Sequence, residues 1–204
     1  MGMDDSDRHR EKMAKIKAAR ERMMADKTAE KGLIIVHTGK GKGKSSSGFG
    51  MILRAIGWGM PCAVVQFIKG AWDTGERRVI EEHFADQCQI HVMGEGFTWN
   101  TQDRERDIAA AQAAWNKAKE LIRDPSVQMV LLDEINIALR YGYLDAGEVI
   151  DFLLDEKPAM THVVLTGRNA PDLLIEAADL VTEMTEIKHP FKAQGVKAQR
   201  GVEF

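Results

Sequence analysis

Cysteine is scarce in this sequence: Cys62 and Cys88 are the only two among 204 residues. They lack the paired close spacing of a zinc site or a secreted disulfide framework, and both are expected reduced in the core. Long apolar runs are missing too. No stretch approaches the roughly 20 residues of a membrane span, and the opening MGMDDSDRHREK lacks the apolar segment of a secretory signal, so a cytoplasmic protein away from membranes is expected. Nor is there a basic surplus. With 28 lysines and arginines against 31 aspartates and glutamates, the net charge is −3, which gives no global attraction to nucleic acid. No nucleic-acid partner is expected, and any basic site must be local. Internal repeats and low-complexity tracts are absent as well.

The chain does have enough apolar residues, 44%, to close one full-sized core. Residues 1–30 are dominated by charge, with Met13, Ile16, Met23 and Met24 as a sparse stripe at helical spacing. They read as an N-terminal charged arm, either a solvated or frayed helix or a helix that docks on the body or on a second subunit. Residues 31–204 read as the nucleotide-binding domain. Here short apolar runs alternate with longer segments of helical period, the pattern of a mostly parallel six-stranded sheet with helices on both faces. The expected strands are Leu33–His37, Ala63–Ile68, Gln89–Met93, Gln128–Leu132, His162–Thr166 and Leu180–Glu186. The first five read as buried, and the last, which alternates, as an edge. The clearest helix is expected from Asp103 to Arg123, where Ile108, Ala111, Trp115, Ala118 and Ile122 share a face. Asn100 or Thr101 would cap it, Pro125 would stop it, and a further helix should begin near Pro171.

The first strand runs into Thr38-Gly-Lys-Gly-Lys-Gly-Lys-Ser45 and then a helical stretch with Met51, Ile52 and Ile56. Strand, glycine-rich turn and Lys-Ser opening a helix are the parts of a phosphate cradle, and they place the chain in the P-loop NTPase-like α/β class. Gly39, Gly41 and Gly43 let the backbone curl so that amides point inward, with the helix dipole behind them. Lys44 would add charge between phosphates, and Ser45 a hydroxyl for magnesium. Thr38 stands where the usual pattern has its first glycine. Lys40, Lys42 and Lys44 would repel one another unless a polyanion neutralised them. The matching acidic residue should end another buried strand, and Met129-Val-Leu-Leu-Asp-Glu134 supplies Asp133 or Glu134 as the metal carboxylate.

A P-loop alone does not choose between a kinase or ATPase, a nucleotide-switched binding module and other chemistries. Phe97 and Trp99, beside glycines after a strand, are candidates for ligand contact or for a core lid. Arg54 and Lys69 lie near site segments. His37, His83, His91, His162 and His189 fall in no ligand or triad spacing.

Several separated blocks, in one order, resemble the P-loop ATP:corrinoid adenosyltransferases: Thr38 to Ser45, Val65-Gln-Phe-Ile-Lys-Gly70, Gly96-Phe-Thr-Trp-Asn-Thr-Gln102, Leu132-Asp-Glu-Ile135, Thr166-Gly-Arg168 and the ending Gly195 to Phe204. The resemblance spans residues 32 to 204. Threonine at 38 agrees with that family, whereas lysine at 40 and serines at 45 and 46 depart from its usual asparagine and threonines. It implies a homodimeric alkyl transferase in which the reduced Co(I) centre of a corrinoid attacks the 5′ carbon of ATP and expels triphosphate, in adenosylcobalamin biosynthesis or salvage. ATP and the corrinoid are substrates and no side-chain nucleophile is needed; Mg2+, or Mn2+ in its place, serves as metal, and an electron donor such as a flavoprotein reduces the cobalt. In that reading Gly39, Lys40, Gly41, Lys42, Gly43, Lys44 and Ser45 hold ATP, and Ser45 and Glu134, with Asp133 as the other candidate, hold the metal. Phe97 and Trp99 press on the lower face of the corrin, and the arm folds over the corrinoid site of a partner subunit.

Overall fold

The computed structural model describes residues 4–68, 74–94 and 103–203. The expected contacts of Phe97 and Trp99, the Asn100 or Thr101 cap and Lys69 lie outside them. The chain divides into two compact units, Met1–Lys31 and Gly32–Phe204.

The first unit is one helix, α1 (Asp5–Ala25), with no buried residue. Its stability is local. Asp5 and Asp7 favour the positive N-terminus, and Glu11–Lys15 and Lys17–Glu21 pair one turn apart. Met13, Ile16, Met23 and Met24 are all exposed.

The second unit is a three-layer α/β domain. Its strands are β1 (Ile34–Thr38), β2 (Cys62–Gln66), β3 (Cys88–Val92), β4 (Met129–Asp133), β5 (His162–Thr166) and β6 (Leu180–Glu183). They pair in the order β3-β2-β4-β5-β1-β6, every pair parallel. Because side chains alternate along a strand, each strand feeds two cores. Ile34, Val36, Ala63, Val65, Val130, Leu132, Val163 and Leu165 point to one face, where α4 (Arg104–Arg123), α5 (Ile135–Arg140), α6 (Ala146–Asp155) and α7 (Asp172–Ala177) cover them. Ile35, Val64, Leu131 and Val164 point to the other, against α2 (Lys44–Gly57) and α3 (Gly75–His83). Gly48 lets α2 come close, since a Cβ there would lie 2.7 Å from Leu131 Cδ1. A short α8 (Pro190–Gln194) follows β6.

All six expected strands are present, and β6 is an edge as read. It stops at Glu183 rather than Glu186. The structure corrects one reading: β3 is not buried but forms the opposite edge, with only Cys88 buried along it. Gln89 and His91 alternate with Ile90 and Val92 there, the pattern of a strand with one covered face. The long helix α4 spans the expected segment, with Ala111, Trp115, Ala118 and Ile122 buried, joined by Ala114 and Leu121; Ile108 is only partly covered. Its cap is Asp103, whose carboxylate accepts from Arg106 N. The residue before Pro125, Asp124, leaves helical geometry as expected. Pro171 immediately precedes α7.

Candidate nucleotide site at the carboxyl edge of the sheet

Parallel strands place all their carboxyl ends on one edge, and the strand order sets what meets there. Between β1, which carries the glycine turn, and β4, which carries the acids, lies β5. The loop after β5, Gly167-Arg168-Asn169, therefore sits between the cradle and the carboxylates.

The turn itself is shaped by Gly39 and Gly43, with φ of 95° and 103°, values costly for any side chain. Gly41 answers a different need. Its amide donates to Met184 O at 2.6 Å, and a Cβ on it would lie 2.7 Å from that same oxygen. The stretch just beyond β6 thus braces the turn, and one of the cradle amides is committed to it. Gly43 is the left-handed residue before α2, and Lys44 opens that helix.

The three lysines differ in exposure. Lys40 and Lys42 are exposed, whereas Lys44 is buried and its ammonium donates back to Gly41 O. Burial pushes the Lys44 pKa down; the Glu134 charge pulls it up, and Arg168 and Lys42 push it down further. Lys42 is lowered by burial and by Arg168. Its ammonium pairs with Glu203. Arg168 therefore belongs to the cationic cluster, a residue quoted in the sequence only as part of a block. Ser45 is half-buried in the first turn of α2.

The two adjacent acids differ sharply. Asp133 has both carboxylate oxygens engaged: Thr166 Oγ1 donates to Oδ1 at 2.8 Å and Gln66 Nε2 to Oδ2 at 3.1 Å. Glu134 carries φ 63°, a left-handed conformation rare for a non-glycine residue. Its amide donates to Thr166 Oγ1 at 3.0 Å, while its Oε2 is buried with no hydrogen-bond partner among the described residues. Burial, then the neighbouring Asp133 charge, pushes the Glu134 carboxyl up to about 7, against the pull of Lys44 and Arg168. Gly167 makes room for it, because a Cβ there would lie 3.2 Å from Glu134 Oε2.

The remaining candidates sit as follows. His37, just before Thr38 in β1, is buried; burial lowers its pKa, the Lys44 backbone opposes that shift, and its Nδ1 has no partner among the described residues. The other histidines have structural or surface places: His162 Nδ1 accepts from Leu33 N, His189 caps α8, and His83 and His91 lie on α3 and β3. Arg54 is exposed in the last turn of α2, the end far from the glycine turn.

A basic glycine turn and the buried Glu134 carboxylate thus carry opposite charge at one edge of the sheet. The sequence profile of ATP:corrinoid adenosyltransferase BtuR/CobO/CobP matches residues 30–204. The chain belongs to the ATP:corrinoid adenosyltransferase family. A corrinoid adenosyltransferase of Sinorhizobium sp is 71% identical over 98% of this chain and 93% of its own length. One from Pseudomonas aeruginosa is 56% identical over 97% of this chain and 96% of its own. One from Escherichia coli is 42% identical over 97% and 98%. Family membership makes the chain a transferase and sets the kinase, ATPase and binding-module readings aside. Among the described residues, no helix is long and apolar enough to cross a membrane.

Proposed function

We propose that the turn from Gly39 to Ser45 holds the triphosphate of ATP and that Ser45 and Glu134 hold its divalent cation. The observation that supports this reading most is Glu134 Oε2: a buried carboxylate oxygen with no partner among the described residues, electrostatically coupled to Lys44 across the edge of the sheet. Burying such a group costs free energy unless a cation completes it. Asp133 has a donor on each carboxylate oxygen, whereas Glu134 Oε2 has none among the described residues, so Asp133 orients the site and Glu134 takes the metal. Two oxygen donors, one hydroxyl and one carboxylate, suit Mg2+, or Mn2+ in its place, with water and phosphate oxygens as its other ligands. Bound there, the cation would neutralise part of the charge on the triphosphate.

The chemistry needs no nucleophile from the chain. The Co(I) lone pair of the corrinoid substrate forms a bond to C5′ of ATP, the C5′–O bond breaks, and triphosphate leaves with that electron pair. Lys42, Lys44 and Arg168 stabilise the departing charge, and the loop backbone fixes the leaving group in line. Phe97 and Trp99 take the lower face of the corrin. The N-terminal arm, residues 1–30, closes on the corrinoid site of a partner subunit in a homodimer, for which its exposed Met13, Ile16, Met23 and Met24 provide an apolar stripe. A separate electron donor, such as a flavoprotein, reduces the cobalt in the cytoplasm.

The test is product analysis. Incubated anoxically with ATP and a chemically reduced corrinoid, the protein is expected to yield a cobalt–carbon bond, seen by absorbance, and intact triphosphate. Corrinoid-independent release of ADP would overturn the reading.

A further inference from the structure

The chain folds back on itself just after residue 198. The Val202 and Glu203 amides both donate to Gln199 O, at 3.2 and 2.9 Å, and Gly201 takes φ 77° to close the turn. That turn delivers the Glu203 carboxylate to the Lys42 ammonium in the glycine loop, 161 positions earlier. The partners are unequally covered: the Lys42 side chain keeps 49% of its surface, the Glu203 side chain only 15%. A carboxylate that has given up most of its hydration is held by its surroundings, not swept past them. The turn it meets is cationic, because Lys42 and Lys44 both feel Arg168.

A carboxylate and a phosphate oxygen ask the same thing of an ammonium: a short charge-assisted hydrogen bond. We propose that Glu203 is a built-in competitor of the triphosphate for Lys42, so that nucleotide entry exchanges one anion for another and the reverse exchange helps expel product triphosphate. This rests on the loop being the triphosphate site. Lys44 offers no such exchange, since its ammonium bonds Gly41 O, a neutral acceptor within the same loop. The competition is therefore confined to Lys42. Its value lies in release: triphosphate keeps all the loop contacts it made as part of ATP, and a returning carboxylate removes one of them.

The experiment titrates the full chain with inorganic tripolyphosphate, by calorimetry, in five forms: unsubstituted, Glu203→Gln, Glu203→Asp, Lys42→Ala and the double variant Lys42→Ala/Glu203→Gln. Glu203→Gln is expected to bind about two- to fivefold tighter at low salt, the range of a partly exposed ion pair, with the gain shrinking as ionic strength rises. Glu203→Asp, which keeps the charge, is expected to show less of the gain. On the Lys42→Ala background the gain should vanish, a dependence that mere loosening of the carboxyl-terminal turn would not produce. If Lys42→Ala weakens binding while Glu203→Gln leaves it unchanged or weaker, the competition is overturned and the loop assignment stands. If Lys42→Ala leaves the affinity unaltered, Lys42 holds no phosphate, and the inference falls together with that part of the loop reading.

Discussion

The Thr166 hydroxyl donates to Asp133 Oδ1 at 2.8 Å and accepts the Glu134 amide at 3.0 Å, so one side chain of β5 fixes both acids at the end of β4. Thr166 itself is fully buried. The arrangement holds Asp133 in a closed set of hydrogen bonds and leaves the next carboxylate pointing elsewhere.

Replacing Thr166 with valine keeps the volume and removes both hydrogen bonds, stranding a buried carboxylate oxygen and a backbone amide. Stability is expected to fall by about 1–3 kcal/mol per stranded group, with Thr166→Ser recovering most of it. Urea unfolding of the two variants measures this; equal stability of valine and threonine forms would remove the hydroxyl from its linking role.

Glu134→Gln is expected to make the fold more stable and the enzyme inactive. Sign follows from proton counting: the folded chain raises this carboxyl from 4.5 to about 7, so between those values it keeps a proton that the unfolded chain has released. Its contribution to stability is complete below 4.5 and is lost as pH rises through about 7. Glutamine has no such loss. Unfolding measured near pH 5 and near pH 8 should show the variant gaining on the parent at the higher pH. A gap that stays constant would contradict the burial of this charge.

How much of this was legible beforehand depends on the range of the interaction. β1, β2, β4 and β5 were readable because burial on both faces demands unbroken apolar runs, and the glycine turn because its conformation demands glycine. β3 reads as buried because Ile90, Val92 and Met93 raise its hydropathy, yet Gln89 and His91 give it an open face. Asp133 and Glu134 could not be separated from neighbouring positions alone; what separates them is Gln66 and Thr166, donors from two other strands. Arg168 sat within a quoted block without a role, since nothing local marks a lone arginine after a strand. Glu203 falls in the ending Gly195 to Phe204, but only the path of the chain joins it to Lys42.

Lys44→Ala should weaken ATP binding by about 10- to 100-fold, the range for losing a charged hydrogen-bond donor of roughly 1.5–3 kcal/mol. A direct binding titration checks it. Unchanged affinity would take Lys44 out of the site.

Cys62 and Cys88 lie opposite each other on β2 and β3, and burial pushes both thiols up to about 12. The thiolate is the reactive form, so neither should be labelled by a thiol reagent near neutral pH while the chain is folded. Labelling in denaturant should be complete over the same period; rapid native labelling would show that the β3 edge opens.

The bracing of Gly41 by Met184 also dictates an order of events during synthesis. The glycine turn leaves the ribosome early, yet β1 must wait for Val163 and then Leu180 before it has neighbours on either side. Contacts so distant in sequence form slowly. A nascent chain therefore carries an unfinished turn until β6 and Met184 have been translated.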